Sequence, residues 1–125
     1  MREISVPAGH WHIIANGFQG DLDIVITADG GVGGTIRIDV PTFDPIVGVW
    51  SESEQKIQFR RDVLVAHGTS QNYTGFLFEA DESLLREGDY GRAVAPKYRV
   101  LSGSFDGTGT SATRPLYGWL AWQLI

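Results

Sequence analysis

Short segments in which apolar and polar residues alternate with a period of two constrain this chain more than any other feature. Leu22, Ile24 and Ile26 fall on one face of such a segment, with Asp21, Asp23, Val25 and Thr27 on the other. Ile36 and Ile38 alternate with Arg37 and Asp39 in the same way. A period of two suits a half-buried strand, whose successive side chains point to opposite faces, and does not fit a helical stripe. The pattern predicts strands over 11–15, 22–27, 34–40, 46–50, 56–62, 72–80, 98–105 and 116–125. Residues 63–71 carry no clear pattern. Asn16-Gly17, Asp29-Gly30-Gly31, the loop bracketed by Pro41 and Pro45, and Ser51–Gln55 supply turns between them.

Residues 81–97 form the one long connection, where Asp81-Glu82-Ser83 followed by Leu84-Leu85-Arg86-Glu87 predicts a single helical turn stopped by Gly88. A Gly/Thr/Ser loop is expected over 106–115. Links this short leave no room for parallel crossovers. The expected fold is therefore all-β, a single domain over residues 1–125, with eight antiparallel strands running up and down in a meander. Closing that meander into a β-barrel removes both exposed edges. A two-sheet sandwich is the alternative, and hairpin connectivity disfavours its Greek-key crossings. Gly34, Gly48, Gly75, Gly103 and Gly118 each sit inside a strand beside apolar residues. A strongly coiled sheet needs such positions, so they are read as curvature.

With 16 glycines, four Trp, four Tyr and six Phe, the composition suits a tightly turned sheet rather than a disordered chain. There is no cysteine, which excludes disulfides, thiolate metal sites and cysteine nucleophiles. The net charge is −5, and Arg60-Arg61 is the only adjacent basic pair, so no nucleic-acid partner is expected. No stretch approaches the roughly 20 apolar residues that cross a bilayer, and no membrane partner is expected. The start of the chain has no apolar leader, which predicts a cytoplasmic setting, with a secreted mature form the alternative.

Gly9-His10-Trp11 on the first strand, Ala28-Asp29-Gly30 at the second hairpin, Gly33-Gly34-Thr35-Ile36 on the third strand and Tyr73-Thr74-Gly75 later resemble the avidin and streptavidin family. More distantly they resemble lipocalin-type (calycin) barrels. The resemblance implies the barrel. It departs where the avidin family holds biotin: His12-Ile13 stand in place of an Asn, and Ile36 in place of a Tyr. Lipocalin-type barrels would pair the first-strand Trp with a basic residue near the end of the last strand, where this chain has Gln123.

Trp11 is expected to plug one end of the barrel. Arg61 shares strand parity with Ile57 and Phe59. It either faces inward, where a ligand carboxylate would pair with it, or ends the strand at a wet rim. Trp50, Tyr73, Tyr98, Tyr117 and Trp119 are candidates for lining a cavity, with core packing the alternative for each. Ser102 and Ser104 share a face with Tyr98 and would add small hydroxyls to that lining. His10 and His12 have a metal-compatible spacing but no carboxylate in their own run, so they are read as a solvated pair and no metal site is expected. Asp21 and Asp23 read as the wet side of a strand.

Leu116, Leu120, Trp122 and Leu124 make one apolar face of the last strand, and Tyr117, Trp119, Ala121 and Ile125 a second. A barrel strand needs only one, which predicts a homo-oligomer; packing of residues 1–7 across the outside is the rival account. The expected function is binding of a small apolar or aromatic molecule, with no cofactor implied. A cofactor-free barrel enzyme of the isomerase or cyclase type and a purely structural or interaction module are the alternatives.

Overall fold

Asn16 and Gly17 turn the chain with φ of 48° and 87°. This is the left-handed pair that a two-residue type I′ hairpin requires. The computed structural model describes residues 6–64, 69–81, 97–108 and 116–124. They form β1 (Gly9–Ala15), β2 (Phe18–Ile26), β3 (Gly31–Ile38), β4 (Asp44–Ser51), β5 (Lys56–Asp62), β6 (Ser70–Asp81), β7 (Lys97–Thr108) and β8 (Tyr117–Leu124). Each strand pairs antiparallel with the next, and β1 pairs with β8 to close the barrel. At that seam Ile13 lies opposite Ala121 and Ala15 opposite Trp119. The eight-stranded meander barrel read from the sequence is thus the fold, and no helix occurs among the described residues.

Most strands run longer than the apolar pattern that marks them, because backbone pairing continues through polar and glycine positions. Asp44, expected in a loop between prolines, already pairs with Ile36, and Gly31 pairs with Val49. The expected helical turn after Asp81 and most of the expected 106–115 loop lie outside the described residues.

Alternation sorts the side chains. Trp11, Leu22, Ile36, Ile57 and Leu101 are fully enclosed, and Ile13, Ile24, Phe59 and Trp119 pack with them. The interior is therefore mostly solid. Two inward glycines show how the sheet coils so tightly. A Cβ on Gly103 would lie 1.8 Å from the Thr74 carbonyl oxygen, so only glycine allows that backbone approach. A Cβ on Gly75 would lie 2.5 Å from Cζ2 of Trp119, whose ring covers the gap.

Trp11 closes one end, as expected. Its Nε1 donates to the Pro7 carbonyl at 2.9 Å, and Pro7 is itself buried. The Arg99 guanidinium lies 5.5 Å from the centre of the Trp11 ring and donates to the Val6 carbonyl and, at 2.7 Å, to Oε1 of Gln123. The basic residue missing from the last strand thus arrives from β7, and Gln123 anchors it.

Candidate functional site

Among the described residues, the opposite end of the barrel is open. Its mouth holds a cavity of ≈ 340 Å³ between Ala15, Phe18 and Ile38 on one side and Arg61, Tyr73 and Tyr117 on the other. The wall is built by strand register. Phe59 lies opposite Tyr73, Tyr73 opposite Phe105, and Phe105 opposite Tyr117. Four rings on four adjacent strands therefore stack, with centroids 4.8, 4.7 and 5.4 Å apart. These separations follow the spacing of the strands themselves, so the sheet sets the ladder. Trp119 packs edge-on beneath it, 5.9 Å from Phe59 and 5.6 Å from Tyr73. Its Nε1 donates to the Thr74 and Ser104 carbonyls.

A polar cluster faces the same cavity. Arg61 does point inward, but its counter-ion is internal. Nε and Nη2 both reach Oδ2 of Asp44 at 2.8 Å, and both residues are buried. The other Asp44 oxygen accepts the Leu64 backbone N–H at 3.0 Å. Nη1 of Arg61 donates to Oε1 of Gln71 at 3.1 Å, and the Tyr73 hydroxyl donates to the same oxygen at 2.8 Å. Burial, which outweighs the opposing pull of Arg61, pushes the Tyr73 hydroxyl up to about 12, so it stays protonated at neutral pH. The cluster is thus pre-oriented and carries no net charge. Of the two alternatives for Arg61 the wet rim is corrected by its burial, and the place of a ligand carboxylate is taken by Asp44, which the sequence reading left in a loop.

The remaining candidates separate. Arg61 and Tyr73 come together at the mouth, with Trp119 below them. Trp50 is at the plugged end, where its Nε1 donates to Glu52 at 2.8 Å. The expected inward orientation of Tyr98, Ser102 and Ser104 is corrected. Leu101 and Phe105 take the inner face of β7, so Tyr98, Ser102 and Ser104, of the opposite parity, face outward. The hydroxyl of Ser102 donates to the Trp119 carbonyl at 3.3 Å, outside the cavity. Gln71 and Phe105, which line the cavity, and Asp44, which holds Arg61, were missed by the sequence reading. Their parity with Ile46, Tyr73 and Leu101 was the available signal. Comparison with known proteins adds no relative: no protein-family model, curated protein or solved structure significantly matches the chain.

Proposed function

We propose that the chain is a small-molecule-binding barrel whose open mouth takes a flat aromatic ligand bearing one or two neutral polar groups. The observation that carries this reading is the aromatic ladder ending at the same cavity as the neutralised Arg61–Gln71–Tyr73 cluster. A ring lying against Tyr117 and over Ala15 gains broad apolar contact. The Gln71 amide nitrogen, left over once Oε1 has accepted two hydrogen bonds, supplies a donor for a ligand oxygen. Turnover is less favoured, because no group here is placed as a base among the described residues. Asp44 is covered by Arg61 and Leu64, and Tyr73 keeps its proton.

The test is a thermal-shift and calorimetric titration with phenol, indole and 2-naphthol. At least one of them is expected to stabilise the wild type. Ala15→Phe fills the cavity and abolishes the shift, while Gln71→Ala weakens binding by roughly 5–10-fold, the worth of one hydrogen bond. Stabilisation unchanged in Ala15→Phe, or absent in the wild type for all three compounds, counts against the reading.

Self-association belongs to the same proposal, with its surface redrawn. Trp119 and Ala121 fill the interior, so the face of β8 that carries exposed apolar residues is, among the described residues, the even one. Leu120 and Leu124 are exposed there, and Phe76 and Phe78 on β6 extend the apolar surface around the barrel. A second copy meeting this face through a two-fold axis would cover it. Leu120→Glu combined with Leu124→Glu is expected to lower the mass seen in sedimentation to that of the monomer. An unaltered mass rejects the surface.

A further inference from the structure

His10 and His12 lie on the outward side of β1, and strand pairing sets Asp23 opposite His10 and Asp21 opposite His12. The carboxylates absent from the histidines' own run therefore come from the neighbouring strand. Nδ1 of His10 is 2.9 Å from Oδ1 of Asp23. A carboxylate only accepts, so Nδ1 carries the hydrogen of that bond. The other ring nitrogen, Nε2, is then directed at Oδ1 of Asp21, 3.3 Å away. Nε2 and Oδ1 thus face each other across a gap that a cation can bridge.

The geometry points to a cation. A separation of 3.3 Å is the edge of a tetrahedron whose metal–ligand bonds are about 2.0–2.1 Å, the lengths Zn²⁺ makes with imidazole and carboxylate. His12 completes a trio: one ring nitrogen from each histidine and one Asp21 oxygen all lie within 4.8 Å of one another. The two rings stand nearly perpendicular, with centroids 5.4 Å apart. Arg37 on β3 donates to the other oxygen of Asp21 from both Nε and Nη2, which fixes the carboxylate and leaves Oδ1 for an ion.

We propose that His10, His12 and Asp21 bind a divalent transition ion of the Zn²⁺ class on the outer wall of the barrel, with Asp23 and Arg37 as orienting residues. Two imidazoles select such an ion over Ca²⁺ or Mg²⁺, which prefer oxygen ligands. The Asp23–His10–metal arrangement is the carboxylate–histidine relay that fixes the tautomer and aim of a metal-binding imidazole. Three protein ligands leave the fourth position open. Both histidines border a groove whose other walls include Tyr98, Trp122 and Leu124, so a small donor molecule could reach the ion from there.

The test uses the untagged chain stripped with EDTA and titrated with Zn²⁺ against a chromophoric chelator, with Co²⁺ as a spectroscopic stand-in. One equivalent is expected to bind, and Co²⁺ should show the intense visible bands of a four-coordinate ion. His12→Gln and Asp21→Asn should each weaken Zn²⁺ binding by at least tenfold. Asp23→Asn, which touches no ligand atom, should weaken it by about 10–100-fold. A cooperative melting transition in EDTA should be retained by all variants, showing that they fold. No uptake by the wild type, or uptake unchanged in the His10→Gln/His12→Gln double variant, overturns the proposal. Aromatic binding at the mouth is unaffected by either outcome.

Discussion

Asp44→Ala lowers the unfolding free energy by about 3–5 kcal/mol, because it leaves the Arg61 guanidinium buried without its counter-charge. Both side chains are buried, at 2% exposure for Asp44 and 7% for Arg61, so solvent cannot take over the role of the missing carboxylate. The loss extends further, since the Leu64 backbone N–H also loses its acceptor. A paired replacement, Asp44→Leu with Arg61→Met, removes both charges and recovers most of the stability, since the pair itself contributes little net of desolvation. Urea denaturation of the wild type and the two variants checks this. A single substitution costing less than about 1 kcal/mol would show that water reaches the guanidinium, and the mouth would then be far wetter than described.

Trp119→Ala is expected to cost about 3–5 kcal/mol through the cavity it leaves. The ring is the floor under Phe59 and Tyr73, it covers Gly75, and its Nε1 spans the Thr74 and Ser104 carbonyls. Trp119→Phe keeps part of the packing and loses the hydrogen bonds, so a smaller loss of about 1–2 kcal/mol is expected. The informative readout is the pair of variants measured together. If alanine and phenylalanine cost the same, the indole nitrogen matters and the packing does not. The ladder would then not depend on its floor.

Much of the fold was legible because period-two alternation survives in strands such as β2, β3 and β5. Leu22, Ile24 and Ile26, or Ile57 and Phe59, name their inner face without help, whereas the place of Arg61 stayed open. The site was less legible, for a physical reason. Pro45 and the polar Asp44 look like loop, yet Asp44 keeps the parity of Ile46 and Trp50 and enters the interior through its bond to Arg61. On β7 the error was one of phase. Tyr98, Ser102 and Ser104 form a plausible polar inner face until Leu101 and Phe105 are seen to fill that side. A one-residue shift exchanges every inner and outer residue of a strand. That His10 and His12 face Asp23 and Asp21 was not legible, because those carboxylates lie on another strand, a relation only register supplies.

The seam between β1 and β8 has a consequence for how the barrel comes into being. Until the last strand emerges, a growing sheet of seven carries two raw borders of unpaired amides and carbonyls, one at β1 and one at β7. Contacts such as Ile13 with Ala121 join the far ends of the sequence, so closure waits on the slowest kind of encounter a chain makes. Any truncation that removes Tyr117–Leu124 would keep the molecule permanently at that stage, with two sticky rims and an unsealed interior.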